Sequence, residues 1–134
     1  MLELELPVQL VSAANLREHW SARRRRVKAH RDGAALLVRM ALRRVGAPPP
    51  PYLVTLTRVI GPRGRELDDD NLRSALKAVR DGIAEALGVD DGDRSAVVWN
   101  YAPEERGRWG ARIRIEGGAS PPPPELTSGP RSTT

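Results

Sequence analysis

Residues 66–93 have the sequence ELDDDNLRSALKAVRDGIAEALGVDDGD. Three consecutive carboxylates, at positions 68 to 70, precede a stretch with helical periodicity, and three more follow it at positions 90, 91 and 93. Two carboxylates about 5 to 6 Å apart repel by about 3 kcal/mol at an effective dielectric constant near 20. A divalent cation is the simplest means of offsetting that repulsion, so the segment is a candidate helix and a candidate metal site.

The stretch between the two acidic clusters predicts an amphipathic helix. Its apolar residues recur with the i, i+4, i+7, i+11 spacing of one buried stripe. They are Leu72, Leu76, Val79, Ile83 and Leu87. On the opposite face Lys77 leans toward the helix N-terminus, so we expect its ammonium group to point toward Asp70. Gly88 is a favourable residue just past a helix end, and we expect the helix to stop there.

Asp68, Asp70 and Asp91 are the carboxylates that we expect to bind metal. If residues 67–69 end a strand, Asp68 and Asp70 project on the same side of it. The loop after Gly88 must then fold back along the helix to bring Asp91 to them. Mg²⁺ typically takes about one to three carboxylates, with water and substrate phosphate completing its octahedral shell. Mn²⁺ is a possible substitute.

A purely structural interpretation of the same carboxylates stays open. Aspartate is a favoured helix N-cap and is stabilised in the first turn by the helix dipole, so one or two of Asp68 to Asp70 need no further role. Residues 90–93 resemble an ordinary turn. His19 and His30 are weaker candidates for metal ligands.

The run RELDDDNLRSALKAVRDGIAEALGVDDGD resembles the core motif of the RusA family of Holliday junction resolvases. In that motif Asp-x-Asp-Asn-Leu is followed by a helical lysine and then by an aspartate shortly after the helix. The matching positions are Asp68, Asp70, Asn71, Leu72, Lys77 and Asp91. The stretch NLREHWSARRRRVKAHR, from Asn15, is similar to the basic, Asn-containing N-terminal region of the family. Two departures are visible: Lys77 comes after a three-residue insertion, and Asp90 or Asp93 could replace Asp91.

The resemblance implies a metal-dependent endodeoxyribonuclease of phage or prophage type, active in DNA recombination and repair. Its expected substrate is branched DNA, four-way junctions above all, which a homodimer would resolve by paired nicks. Asp68, Asp70 and Asp91 would hold Mg²⁺, and Lys77 would assist at the scissile phosphate or the leaving oxygen. The expected DNA-binding residues are Asn15, Arg17, Arg23, Arg24, Arg25, Arg26, Lys28 and Arg31.

The distribution of charge favours a nucleic-acid partner. The chain of 134 residues has a net charge of +5, but residues 17–44 contain ten Arg or Lys against two acids, while residues 66–93 contain nine acids against three bases. A basic surface would bind a phosphate backbone, whereas an acidic pocket needs metal to approach a polyanion. A basic face that is merely solvated remains the alternative, because the whole chain is rich in arginine.

The remaining periodicities predict a single α+β domain over residues 1–116, with a mixed sheet of about four strands and two helices packed on it in the order β-α-β-α-β-β. Strands are predicted over residues 2–11, 52–60, 95–101 and 109–116, with a polar turn between the last two. A further helix is predicted over residues 22–45, with Val27 and Val38 on its buried side. In the loop before that helix, Trp20 either anchors the loop on the core or stacks on an exposed base. Residues 117–134 have no apolar pattern and are predicted to be disordered.

The amino-acid composition argues against several kinds of site and of protein. The chain has no cysteine, which rules out disulfides and thiolate metal sites. No run reaches transmembrane length and the acidic N-terminus is unlike a signal peptide, so we expect a cytoplasmic protein of a bacterial or phage-infected cell.

Two rival functions stay open: a catalytically silent nucleic-acid-binding module and a metal-dependent nucleotidyl transferase. A nucleotidyl transferase is expected to carry a Gly-Ser-type loop ahead of its aspartate pair, and this sequence lacks such a loop.

Overall fold

The computed structural model describes residues 1–11 and 19–118. The elements in chain order are β1 (Leu2–Leu6), α1 (Trp20–Val45), β2 (Tyr52–Ile60), α2 (Asp69–Leu87), β3 (Val97–Tyr101), β4 (Glu105–Arg106) and β5 (Gly110–Gly117). This arrangement confirms the predicted α+β domain with two helices and a mixed sheet. The additional element is β4, a two-residue strand inside the segment predicted to be a turn.

All five strands belong to one mixed sheet in the order β1-β5-β2-β3, with β4 also paired to β2. Strand β5 is antiparallel to both β1 and β2, while β3 and β4 are parallel to β2. The prediction of residues 52–60 as a central strand is therefore confirmed. Its last five residues, from Leu56 to Ile60, are all buried.

The topology places both helix N-termini at one edge of the sheet. Because β1 and β2 are each antiparallel to β5, they run in the same direction, and α1 connects them. In the same way α2 connects the parallel strands β2 and β3. A helix that joins the end of one strand to the start of a parallel one runs opposite to both. Both helices therefore begin at the edge where β1, β2 and β3 end.

The hydrophobic core lies between the two helices and the sheet. It includes Val38 of α1, Val79 and Ile83 of α2, and Val54 and Ile113 of the strands. The helices approach each other closely at Gly82, where a Cβ atom would lie 2.2 Å from the carbonyl oxygen of Arg31.

The bounds of β1, α1, β3 and β5 differ from those predicted; β3 begins at Val97 rather than at residue 95, and β5 at Gly110 rather than at residue 109. Strand β1 ends at Leu6 rather than at residue 11, because Pro7 has no amide hydrogen to continue the ladder. Helix α1 begins at Trp20, and its fully buried residues all lie in its second half, from Ala34 onward. Val27, which was predicted to be buried, is 41% exposed because the first half of α1 extends past the core.

Residues 67–69 do not end a strand. Asp68 is the N-cap of α2, and Asp69 and Asp70 belong to its first turn. The predicted end of the helix is confirmed, since Gly88 adopts the left-handed conformation (φ 71°) and its N–H bonds back to the carbonyls of Ala84 and Glu85.

Strand β5 extends through Gly117, which was assigned to the predicted tail. The rest of that tail, residues 119–134, lies outside the described residues, as do Asn15 and Arg17. Within the described ranges, no helix is both long and apolar enough to cross a membrane.

Candidate functional site

The acidic start of α2 combines one capping carboxylate with two unpaired ones. Asp68 accepts a hydrogen bond from the backbone N–H of Asn71 at 2.8 Å, which confirms the capping interpretation for this residue. Asp69 and Asp70 are exposed beside the positive end of the helix dipole. Across residues 1–11 and 19–118, neither carboxylate has a hydrogen-bond or ion-pair partner. These two are therefore open to a ligand.

A buried ion pair fixes the loop that leads into this helix. Arg58 is 2% exposed and its guanidinium pairs with Glu104, which is 8% exposed. The same guanidinium donates to the carbonyl of Arg65 at 3.1 Å, and Glu104 accepts from the amide of Leu67 at 3.0 Å. The residue directly before Asp68 is thereby tied to the segment that follows β3. This pair was not among the predicted functional residues, although Arg58 inside the apolar run of residues 52–60 was a visible signal.

The Trp109 ring packs against the same loop. The guanidinium of Arg58 lies 5.5 Å from the centroid of this ring. A Cβ at Gly61 would lie 2.0 Å from the Trp109 side chain, and one at Gly64 would lie 2.5 Å from it. Two glycines therefore allow the loop to wrap closely around the ring, which holds the approach to Asp68 in one position.

A crevice of about 330 Å³ opens beside the acidic helix start. Its lining includes Asp69 and Arg73 from α2 and Tyr101 from the end of β3. The guanidinium of Arg73 lies 5.2 Å from the centroid of the Tyr101 ring. Clefts at the carboxyl ends of parallel strands are the usual ligand sites of open α/β sheets. This crevice therefore offers a carboxylate and a cation to a ligand at the expected edge.

Asp91 is held farther along α2, against Arg80. The Arg80 Nε lies 3.2 Å from the Asp91 carboxylate, and the carbonyl of Asp91 accepts from Arg80 and from the indole of Trp99, at 3.1 and 2.9 Å. Arg80 also donates to the hydroxyl of Tyr101 at 3.1 Å. Because Arg80 comes ten residues after Asp70, about 15 Å of helix axis separates their backbone positions.

The structure places Asp68 at the N-cap of α2 and Asp70 in its first turn, and it does not gather Asp91 with them. The loop after Gly88 folds back along α2 only as far as Arg80, which binds Asp91 there. Among the described residues, no group of three or more His, Cys, Asp or Glu side chains is arranged to hold a metal ion. The ligand set Asp68, Asp70 and Asp91 stays a prediction.

The other two candidates for the third ligand form a turn. Asp93 accepts hydrogen bonds from the hydroxyl and the amide of Ser95, at 2.6 and 3.0 Å. The hydroxyl bond is the main reason that the pKa of Asp93 is lowered. Asp90 accepts from the amide of Gly92 at 3.0 Å. Both carboxylates stabilise local backbone, as the turn interpretation predicts.

Lys77 does not point toward Asp70 as expected. Its ammonium group hydrogen-bonds both oxygens of Asp81, at 3.0 and 3.2 Å. Asp81 lies one helical turn away, whereas Asp70 lies two turns away, so the nearer carboxylate captures the ammonium group. Exposed pairs of this kind are weak, and Lys77 remains accessible on the outer face of α2.

A basic surface occupies the first half of α1. Arg23, Arg24 and Arg25 are exposed, and they have no carboxylate partner in the described part of the chain. Lys28 and Arg31 share Asp32, and hydrogen bonding from Lys28 lowers the pKa of that carboxyl. An open surface depression of about 670 Å³ follows these residues. The first turn of α1 contains no acid, so these cations face the unfavourable end of the helix dipole.

Two aromatic residues at the start of α1 have roles that the sequence did not settle. Trp20 is 63% exposed, so the prediction that it anchors the loop on the core is wrong. His19 is the N-cap of α1, and its Nδ1 accepts a hydrogen bond from the amide of Ser21 at 3.2 Å.

His30, farther along α1, is half-buried. Its pKa is lowered, first because of burial and second because of the nearby Arg26 cation.

Comparison with known proteins assigns no activity. No family model matches the chain. An uncharacterized protein of Xylella fastidiosa (strain Temecula1) is 40% identical to it over 78 residues, which are 58% of this chain and 51% of that protein. The chain therefore spans about half the length of that relative.

Proposed function

We propose that the chain is a metal-dependent, structure-selective endodeoxyribonuclease that hydrolyses phosphodiesters in branched DNA, four-way junctions above all, as a homodimer making paired nicks. One observation carries the proposal: helices α1 and α2 begin at the same edge of the sheet. Within the described residues, Arg23, Arg24 and Arg25 in the first half of α1 have no carboxylate partner, and Asp69 and Asp70 in the first turn of α2 have no cationic one. A polyanion bound along α1 would therefore have a strand close to the acidic crevice. The resemblance of residues 65–93 to the RusA motif supplies the reaction.

Asp68 and Asp70, at the start of α2, would suit an open site for Mg²⁺ or Mn²⁺ better than a closed one. Asp68 uses one oxygen as the helix cap, which leaves its other oxygen and the carboxylate of Asp70 for the ion. About one or two carboxylates suffice for Mg²⁺ when substrate phosphate and water complete the shell. The bound ion would neutralise charge that develops on the phosphate and activate water. Asp91 would join as a third ligand only by exchanging Arg80 for the ion.

The remaining side chains hold and orient the DNA. Arg23 to Arg26, Lys28 and Arg31 would bind backbone phosphates along α1, with Asn15 and Arg17 nearer the junction. Lys77 would contact the scissile phosphate or the leaving oxygen, since its bond to Asp81 is weak enough to exchange for a phosphate. Arg73 lines the crevice next to Asp69 and would place a second cation at the same phosphate.

A non-catalytic nucleic-acid-binding module is the second candidate. Two observations favour it: Asp68 caps α2, and the three predicted ligands are not gathered in one place. Such a module would need only the basic surface of α1.

Cleavage assays on paired substrates separate the candidates. Labelled four-way junction and linear duplex of the same sequence are incubated with the protein in EDTA, Ca²⁺, Mg²⁺ or Mn²⁺. The endonuclease predicts paired nicks in the junction with Mg²⁺ or Mn²⁺ and little cleavage of the duplex. Binding without cleavage under every condition would support the binding module. Transfer of a labelled nucleotide would support a nucleotidyl transferase, the remaining rival.

A further inference from the structure

The start of α1 exposes an aromatic ring in the middle of a cationic surface. Trp20 is 63% exposed, an unusual state for the residue type with the largest apolar surface. The other two tryptophans, Trp99 and Trp109, are partly buried. Trp20 is thus the most exposed of the three tryptophans, with Arg24 and His19 about 5.4 Å from its ring.

The residues around the ring form one continuous helical face. Positions 20, 23, 24, 27, 28 and 31 follow the i, i+3, i+4 spacing that brings side chains to the same side of a helix. They are Trp20, Arg23, Arg24, Val27, Lys28 and Arg31, and we call this set the Trp20 face; all six line the 670 Å³ depression. The eleven steps from residue 20 to residue 31 extend over about 16 Å of helix, which corresponds to several phosphates at the spacing of about 3.4 Å along one strand of a duplex.

The charges of this face are only partly neutralised. Arg23 and Arg24 have no carboxylate partner in the described ranges, and Asp32 alone serves both Lys28 and Arg31. The guanidinium of Arg24 lies 5.4 Å from the centroid of the Trp20 ring. A nucleotide whose base stacked on that ring would therefore have the Arg24 cation close to its backbone phosphate. Stacking aromatics within a basic groove are the recognition device of proteins that bind single strands.

We infer that the Trp20 face binds unpaired nucleotides of single-stranded DNA, with a base stacked on Trp20 and the neighbouring phosphates on Arg23, Arg24 and Lys28. In branched DNA this face would hold a strand whose bases are unstacked at the branch point, a placement that rests on the proposed function. A continuous duplex offers phosphates but no free base, so it would use the cations of the face without the ring. An acidic peptide would likewise use the cations alone.

The test measures binding of the full chain to fluorescently labelled oligothymidylate of about 12 nucleotides and to a duplex of similar length, both by anisotropy in EDTA. Trp20→Ala should weaken oligothymidylate binding by about 5- to 150-fold, because one base loses its stacking partner. Trp20→Phe, the matched control, should bind within a few-fold of the wild type. Duplex affinity and the salt dependence of oligothymidylate binding should change little in both variants, since no charge is removed.

Quenching of tryptophan fluorescence adds a direct readout. Oligothymidylate should quench the wild type and leave Trp20→Phe nearly unquenched, because the two remaining tryptophans are partly buried. Equal affinity of Trp20→Ala and the wild type for oligothymidylate would overturn the inference. So would quenching by poly-glutamate equal to that by oligothymidylate, a result that points to an acidic peptide.

The oligothymidylate test of the Trp20 face and the cleavage test of the proposed nuclease can fail independently. Loss of oligothymidylate binding in Trp20→Ala, together with no metal-dependent cleavage by the wild type, would leave a single-strand-binding face on a non-catalytic module. Metal-dependent junction cleavage that is lost in Asp70→Asn, with unchanged oligothymidylate binding in Trp20→Ala, would leave the nuclease and remove this face.

Discussion

Arg58 and Glu104 show how a buried charge pair fixes the site without touching a ligand. The pair connects β2 to the loop after β3, and its hydrogen bonds to Arg65 and Leu67 set the entry to α2. Asp68, at that entry, shows what the sequence alone could not predict about single residues. Three consecutive aspartates made a cap predictable, but only backbone geometry decides which of the three accepts the amide of Asn71.

Arg58→Met should lower the free energy of unfolding by about 3 to 5 kcal/mol, because it leaves Glu104 buried and uncompensated. Urea denaturation measures the change. The double variant Arg58→Met/Glu104→Met should recover much of the loss, since no lone charge remains buried. Arg39→Met, which breaks an exposed pair with Glu85, is the matched control and should change stability little. Equal losses in Arg58→Met and Arg39→Met would show that the buried pair is not structural.

His30 should make stability depend on pH. Its pKa is lowered from the ordinary value of 6.5 by burial and by Arg26, so the folded state binds its proton less readily than the unfolded chain. Its contribution to stability is therefore complete above pH 6.5 and is lost as pH falls through the lowered pKa. Urea denaturation at several pH values below neutrality should show a weaker dependence in His30→Gln. An unchanged dependence would mean that other groups account for it.

At the scale of elements, local periodicity predicted what depends on local sequence. Strand β2 has the predicted bounds, and α2 ends at the predicted glycine. The exposure of Val27 and the existence of β4 depend instead on where the core stops and on pairing with a distant strand. Neither is encoded in the pattern of the segment itself.

The contact between the two helices predicts opposite effects at two glycines. Gly82→Ala should destabilise the fold by about 1 to 3 kcal/mol, because its Cβ would lie 2.2 Å from backbone of α1 and the helices would have to separate. Gly33→Ala has ordinary packing room, with the nearest atom 3.6 Å away on Leu6, and should be neutral or stabilising by up to about 1 kcal/mol. Thermal or urea denaturation compares them. A neutral Gly82→Ala would contradict the close helix contact.

The first half of α1 should dominate the salt dependence of DNA binding. Replacing Arg23, Arg24 and Arg25 with Gln should weaken binding and flatten the slope of log K against log salt by up to about one unit per lost phosphate contact. Arg43 and Arg44, basic residues in the last turn of the same helix, provide the control. Their replacement should leave the slope nearly unchanged, because they lie at the opposite end of the helix. Equal slopes for all three proteins would mean that the basic surface is only solvated.

At the scale of the molecule, the sequence predicted the separation of basic and acidic segments but not that α1 and α2 begin at the same edge of the sheet. That placement follows from the parallel direction of β1 and β2, which is set by their shared pairing with β5. Strand order depends on contacts between residues far apart in the chain, and no local pattern contains it. The distance between Asp91 and the start of α2 was unpredictable for the same reason.

Assembly follows from the proposed reaction. Two symmetric nicks require two active sites related by a two-fold axis, so the 14.7 kDa chain should sediment as a dimer, alone or on junction DNA. Analytical ultracentrifugation at assay concentration measures this. A chain that stays monomeric on and off DNA and still makes paired nicks would contradict the homodimer.

Cleavage of a labelled four-way junction by Asp70→Asn tests the nuclease most directly. Asp68, not Asp70, caps α2, so the variant should fold as the wild type does. We expect cleavage in Mg²⁺ to fall by orders of magnitude, since a neutral amide is a poor ligand for a hard cation, while junction binding in Ca²⁺ persists or tightens. Asp81→Asn, the same change on the same helix, should retain cleavage. Wild-type rates for Asp70→Asn, with divalent metal still required, would contradict the assignment of Asp70 to the metal site.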